Sequence, residues 1–253
     1  MILDQVLSAT AARVAGLPGA EEYTLPAQKR YCSLSSSIRQ KGQGNRIISE
    51  IKFASPSSGT IRSAGDPMAF ARDFTHAGAA ALSILTEPFF FHGDPAYIPA
   101  IRPYVDIPLL RKDFIIDERQ LAESRALGAD AVLLIAGVLG NRLEDMVDSA
   151  LAYGLEPLVE VHSQEEAKEV LSTGTRIAGI NNRDLRTMRT DLSTTMRLAP
   201  SLREVGLTVV SESGVIWPCD IRTLRPVADA FLIGTAIMRS PDPVQRLEGF
   251  IRA

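Results

Sequence analysis

Short apolar runs that end in a charged or amide residue recur along this chain, and that recurrence limits what it can fold into. Ile47-Ile48-Ser49-Glu50-Ile51-Lys52 closes on a carboxylate and an ammonium two residues apart, which on a strand puts both on one face. Pro108-Leu109-Leu110-Arg111-Lys112 closes on a second lysine and Pro157-Leu158-Val159-Glu160 on a second carboxylate. Ile177 to Asn181 ends in an amide with Arg183 just beyond, and Leu207 to Ser211 leads into Glu212-Ser213-Gly214. Helical spacing follows each run. Repeated strand-then-helix units build a parallel sheet, and polar residues gathered at the carboxyl ends of its strands mark an active site.

Candidate strands lie near 46–52, 81–85, 108–112, 130–135, 156–160, 177–181, 207–211 and 229–233, all rich in Ile, Leu and Val. Such short apolar strands suit a parallel sheet buried on both faces. Amphipathic stretches from Pro67 to His76, Asp117 to Leu127 and Ser163 to Ser172 lie between them, and the Gly78-Ala79-Ala80 and Gly128-Ala129-Asp130 joints supply helix stops. The 253 residues match the roughly 250 of one closed (β/α)₈ barrel. An open doubly wound sheet has the same alternation, but no glycine-rich dinucleotide fingerprint follows the first strand, and a barrel brings all the polar strand ends together. The expected organisation is one α/β domain, residues 1–253. Within it, residues 1–45 form an N-terminal helical extension with helical patterning from Leu3 to Val14, and 46–253 form the barrel that the extension caps.

The formal net charge of −3 offers no basic face for nucleic acid, so an anionic partner has to be a small molecule held by a few placed cations. Cys32 and Cys219 are too few for a disulfide framework or a metal site and suit a reducing compartment. The N-terminus lacks a basic and apolar leader pattern, and no run of about 18 apolar residues occurs. A cytoplasmic protein without a membrane partner is expected.

Two kinds of chemistry follow from the residues alone. Ser213-Gly214 after the seventh strand and Gly234-Thr235 after the eighth occupy the two loops that in this fold commonly cradle a phosphate through backbone N–H groups. Lys52, Lys112, Glu50 and Glu160, at three different strand ends, can exchange protons with a substrate from a partly dry pocket. A lysine imine with a carbonyl substrate stays open at this point. His76, His92 and His162 have neither metal spacing nor a nearby nucleophile and are assigned no chemistry, with surface or supporting positions expected. The connection from Phe53 to Asp66, with Ser55-Pro56-Ser57-Ser58-Gly59, is long enough to serve as a lid.

The same segments carry a family resemblance. Ser49 to Ser57 (Ser-Glu-Ile-Lys-Phe-Ala-Ser-Pro-Ser), Leu82 to Glu87, Leu109 to Ile115, Leu158 to His162, Gly179 to Leu185 and Ser211 to Gly214 resemble, in order, the strand-end motifs of indole-3-glycerol phosphate synthases. The chain departs from that pattern at Phe53 and Ser58, where members often carry a basic residue, and at Pro88-Phe89-Phe90, which is more apolar.

The resemblance implies a lyase of tryptophan biosynthesis that needs no cofactor and no metal. It would close the ring of 1-(2-carboxyphenylamino)-1-deoxyribulose 5-phosphate with loss of carbon dioxide and water. It implies that Lys112 activates the carbonyl, that Glu160 and Lys52 share the dehydration with Glu50 tuning Lys52, and that Asn181 steadies the developing hydroxyl or anilino group. Arg183, Glu212 and Ser213 would orient the substrate. Ser55, Lys52, Gly214, Gly234 and Thr235 would hold its phosphate, and Phe91, Phe114, Leu133 and Leu185 would pack against its aromatic ring. Among other barrels, phosphoribosylanthranilate isomerase would need a cysteine where Lys52 stands. An imine-forming aldolase and a non-catalytic phosphate binder are the remaining alternatives.

Overall fold

The computed structural model describes residues 2–25, 32–40, 42, 44–63, 65–184 and 186–253. Eight parallel strands close into a barrel: β1 Ile47–Ile51, β2 Ala81–Leu85, β3 Leu109–Lys112, β4 Ala131–Ile135, β5 Glu156–Val161, β6 Ile177–Asn181, β7 Thr208–Glu212 and β8 Ala230–Ile233. Each pairs with its neighbours in sequence, and β8 returns to β1 in the register Ile47↔Phe231, Ile48↔Leu232, Ser49↔Ile233. The strands begin and end within a residue or so of the positions expected from apolar patterning.

Alternation along the strands sorts the side chains into two cores. Ile47, Leu82, Ile84, Leu109, Val132, Val159, Ile180, Val209 and Phe231 face outward, into the layer shared with the helices. Ile48, Ala81, Leu110, Leu133, Leu158, Ile177, Val210 and Leu232 fill the barrel itself. Toward their carboxyl ends four strands turn a charged residue inward, Glu50, Lys112, Glu160 and Glu212, and β6 turns Asn181, while β4 keeps the apolar Ile135 there. One layer of charge therefore stands on apolar layers that exclude water from below.

The helices that matter most for the site start at side-chain caps. Asp66 caps α3 (Pro67–His76), Asp117 caps α5 (Glu118–Leu127) and Ser163 caps α7 (Gln164–Val170), each side chain accepting a backbone N–H of the first turn. Between α3 and α5 lies α4 (Tyr97–Ile101), and α6 (Leu143–Ala152) precedes α7. Gly78 and Gly128, with φ of 93° and 97°, end α3 and α5 at the expected stops. No helix among the described residues is long and apolar enough to cross a membrane.

The N-terminal extension touches both ends of the barrel. Its second helix, α2 (Leu34–Arg39), closes the bottom: Leu34 and Ile38 join the interior cluster, and Glu156 accepts from the hydroxyls of Ser33 and Ser35 at 2.9 and 2.6 Å. Its first, α1 (Ile2–Ala15), reaches the opposite end, where Arg13 makes two bonds of 2.9 and 2.6 Å to Asp113, the residue after Lys112. Asp113 is also bound by Thr86 at 2.7 Å and by the wholly buried Arg111 at 3.2 Å, and Arg111 pairs on with Glu123 at 2.7 Å. On β3 the inward Lys112 thus sits between two outward charges locked into an ion network.

Because Leu34 is a fully buried plug with no room to rearrange under the barrel, Leu34→Ala is expected to cost about 2–5 kcal/mol. Urea unfolding checks this. A loss below about 1 kcal/mol would mean that the extension does not seal the interior.

Candidate active site

The polar strand ends open into a cavity of about 730 Å³ at the carboxyl end of the barrel. Glu50, Lys52, Ser55, Phe91, Lys112, Phe114, Leu133, Glu160, Asn181, Arg183, Glu212, Ser213, Gly214, Gly234 and Thr235 all line it. These are the positions expected from sequence apart from Leu185, which lies outside the described residues.

At the cavity's centre is the ammonium of Lys112, 3.1 Å from Glu160 Oε2 and 3.1 Å from Glu212 Oε2. Burial would drive an isolated ammonium to give up its proton, but Glu160, Glu212 and Glu50 together outweigh that and hold the Lys112 pKa well above the usual lysine range. The group is therefore a persistent cation and not a free amine. Imine chemistry needs the free amine, so the geometry speaks against an aldolase of that kind.

The two carboxylates beside Lys112 are not equivalent. Both are desolvated, which favours their protonated forms. At Glu160 this is overcome by Lys112 on one oxygen, and by His162 at 3.3 Å and the Asn181 amide at 3.1 Å on the other, so its pKa is held below the ordinary range. Glu212 has Lys112 on one oxygen, while Oε1 has no hydrogen-bond partner among the described residues, and burial with the neighbouring Glu160 charge pushes it up to about 8. The surroundings thus push the two apart: they keep Glu160 ionised and favour the protonated form of Glu212.

Lys52 and Glu50 form a second pair at 2.6 Å at the end of β1. Gly234 faces them at close quarters, and a side chain there would run into Glu50 Oε1 and Lys52 Cε. Its φ of −116° is open to any residue, so the demand for glycine at this position comes from the Glu50–Lys52 pair and not from backbone strain. Next to it, the one-turn helix Thr235–Met238 presents its first N–H groups, which have no acceptor within the helix, toward the cavity mouth. At the end of the neighbouring β7 Ser213 is held at φ 60°, a conformation non-glycine residues seldom adopt, just before Gly214.

The cavity's walls come from the loops. Phe91 and Phe114 stand with ring centroids 6.2 Å apart, and Leu133 lies below in the interior. Glu87 holds the loop carrying Phe91 by accepting the N–H groups of Phe89, Phe90 and Phe91 at 3.0, 2.7 and 3.0 Å. Arg183 is aimed by a bond to the Met188 carbonyl at 2.9 Å, and its own N–H goes to Asn181 at 3.0 Å. The long loop after β1 folds into a two-stranded hairpin, Ala54–Ser55 against Gly59–Thr60, that was not expected from sequence. Arg62 ties it to the carbonyls of Met238 and Ser240 at 2.9 and 2.7 Å, and Arg239 reaches the Ser58 carbonyl at 3.0 Å.

Sequence reasoning passed over Glu87, and gave His162 a surface or supporting position without chemistry. Each stands two residues beyond an inward-facing strand residue, Leu85 and Glu160, and that same parity would have found them.

Glu212 supplies a pH test. Its folded pKa of about 8 lies above the ordinary 4.5, so its contribution to stability is complete below about pH 4.5 and is lost as pH rises to about 8. Glu212→Gln cannot titrate. Between about pH 5 and pH 8 it should gain on the native protein by up to roughly 1.4 kcal/mol per pH unit, read from urea midpoints. A constant difference over that range would mean that Glu212 is ionised throughout.

Comparison with known proteins gives a consistent set of matches. The sequence model of the family described as "Indole-3-glycerol phosphate synthase" matches residues 3–250. An indole-3-glycerol phosphate synthase from Carboxydothermus hydrogenoformans is 46% identical over 214 residues, covering 83% of this chain and 81% of that protein. One from Azoarcus sp. strain BH72 is 42% identical over 245 residues, covering 95% of this chain and 92% of its own. Among solved structures, a thiamine phosphate pyrophosphorylase from Pyrococcus furiosus superposes with a TM-score of 0.60 at 18% identity, over 86% of this chain and 96% of that one, a likeness of fold alone.

Proposed function

This chain belongs to the indole-3-glycerol phosphate synthase family, and from that premise we propose how its side chains divide the work of the reaction. The activity is a decarboxylating ring closure in tryptophan biosynthesis: 1-(2-carboxyphenylamino)-1-deoxyribulose 5-phosphate becomes indole-3-glycerol phosphate, carbon dioxide and water.

The observation that carries the assignment is the Lys112 ammonium held between Glu160 and Glu212 on the cavity floor. Lys112 protonates the ribulose carbonyl as the aromatic carbon that bears the carboxylate attacks, and decarboxylation restores the aromatic ring. A lysine gripped by two charged carboxylates would be a reluctant acid. Glu212, whose protonated form burial and the Glu160 charge favour, opposes the transfer less than the ionised Glu160 does.

Glu160 and Lys52 then handle the dehydration, with Glu50 at 2.6 Å setting the position of the Lys52 ammonium. Asn181, bonded to Glu160, steadies the hydroxyl or anilino group that changes charge. Phe91, Phe114, Leu133 and Leu185 receive the aromatic ring, while Arg183, Ser213 and Glu212 orient the substrate. Ser55, Lys52, Gly214, Gly234 and Thr235 hold the phosphate. Residues 1–45 work with the barrel as one domain, since Arg13 braces Asp113 beside Lys112. The substrate is small and phosphorylated, and the reaction is placed in the cytoplasm.

Incubation of the pure protein with the carboxyphenylamino substrate should give indole fluorescence. Lys112→Ala is expected to lower turnover by about 10²–10⁴ while leaving product affinity within a few fold, and Glu160→Gln to slow single turnovers far more than it weakens binding. A Lys112→Ala protein with more than about half the native single-turnover rate would remove Lys112 from the chemistry.

The phosphate assignment has its own test. Thr235→Ala removes one hydroxyl and should weaken inhibition by inorganic phosphate by roughly 0.5–1.5 kcal/mol with kcat unchanged. Gly234→Ala should depress kcat as well as phosphate affinity, because the new Cβ displaces Glu50 and Lys52. Native phosphate affinity in a folded Gly234→Ala protein would place the cradle elsewhere.

A further inference from the structure

β5 runs out through Glu160-Val161-His162, and the two-residue period turns His162 to the same side as Glu160, beside it at the end of the strand. From the other side α7 brings up Glu166. His162 Nε2 lies 3.3 Å from Glu160 Oε1, and Nδ1 lies 3.3 Å from Glu166 Oε2. Glu166 Oε2 also accepts the His162 backbone N–H at 2.7 Å, so the carboxylate is fixed and the ring is fixed to it.

The protonation state follows from this sandwich. A neutral imidazole has a donor on one nitrogen and a lone pair on the other, so between two carboxylates one lone pair would face another. The imidazolium alone offers a proton to each side. Burial disfavours the charge, but Glu160 and Glu166 outweigh burial and hold the ring's pKa up at about 10. The Nε2 atom is shut off from solvent, and its approach to Glu160 runs off the hydrogen-bonding direction, which makes the contact ionic.

We propose that His162 is a positioning residue of this reaction: an imidazolium braced by Glu166 that fixes the Glu160 carboxylate for proton transfer. The inference rests on the reading that Glu160 exchanges protons with the substrate. Glu160 is otherwise held by Lys112 on Oε2 and Asn181 on Oε1, and a carboxylate gripped by those two alone could still turn away from the substrate. His162 supplies the third restraint. The charged groups that face the ring are Glu160 on β5, Glu166 on α7 and, from the segment after β6, Asp184, with Lys112 and Glu212 acting on it through Glu160.

The test compares His162→Gln, Glu160→Gln and the double variant, with thermal unfolding as a check on folding. His162→Gln keeps a donor and loses the charge. Its kcat should fall about ten- to a hundredfold with KM within about twofold, the size expected when a reacting group is misplaced without loss of binding. Without the neighbouring positive charge the Glu160 pKa rises, so the acid limb of the kcat profile should move to higher pH. In the Glu160→Gln background the His162→Gln change should cost nothing further. Unaltered kcat and acid limb in His162→Gln, a rise in KM alone, or an undiminished loss in the Glu160→Gln background would each overturn the inference. Full turnover in Glu160→Gln overturns both this and the reading it rests on, whereas an inactive Glu160→Gln beside an unaffected His162→Gln overturns this one alone. Should His162→Gln not fold, ring nitrogen signals of the native protein at about pH 8 decide: both nitrogens protonated supports the brace, and a neutral ring overturns it.

Discussion

A single buried ammonium sets the terms for the rest of this site. Taking the Lys112 charge out of water costs several kcal/mol, which only close counter-charge can offset, and the barrel supplies two carboxylates at 3.1 Å. Two are more than one cation can keep ionised in a dry cavity. Which of them yields is decided by neighbours. Glu160 has Asn181 and His162 on its second oxygen, while the second oxygen of Glu212 points at the bare backbone of Gly179, where a side chain would collide with it. Two carboxyl groups with opposite protonation are the arrangement from which an acid and a base can be drawn at one pH.

That arrangement depends on β3 holding its register. Arg111, Lys112 and Asp113 alternate out, in, out, and the two outward charges are tied to Thr86, Glu123, Ser124 and the extension's Arg13. A slip of one residue would turn Lys112 into the helix layer and put Arg111 into the cavity. Ion networks of this kind are poor sources of net stability, since each buried charge must first be desolvated. Their physical role here is geometric: they make the wrong register far more expensive than the right one.

Much of this was legible in the sequence because it depends on periods. Strand positions, the Pro67–His76 helix and the inward parity of Glu50 with Lys52 follow from apolar spacing and hold to within a residue. The gathering of strand ends at one rim follows from closure of the barrel. The protonation of Glu212 was not legible, since it rests on distances among β3, β5 and β7 that no local pattern encodes. Nor was the hairpin after β1, whose two residues per strand are too few to leave a period. His162 was hidden for another reason. Its parity was available, but a histidine directly after a strand's last apolar residue has no motif of its own, and its meaning appears only when Glu166 is seen on the far side of the ring.

The mouth of the cavity carries the same logic into the positions where this chain departs from its family's pattern. Phe53, where a basic residue is common, packs against Phe70 and Tyr97 at centroid distances of 6.4 and 6.3 Å, so it anchors the root of the hairpin by apolar contact. A cation at that point would have to leave this cluster for solvent. Ser58, a second departure, offers its carbonyl to Arg239 from beyond β8, and Arg62 within the loop reaches the same side at Met238 and Ser240. Positive charge at the rim therefore comes from guanidinium groups that bridge the hairpin to the loop of the expected phosphate cradle. Arg239 serves as a tether and a charge at once, because its planar fork donates to the Ser58 carbonyl while the side chain still lines the cavity, whereas Arg62 lies over the Phe70 ring 5.5 Å from its centroid.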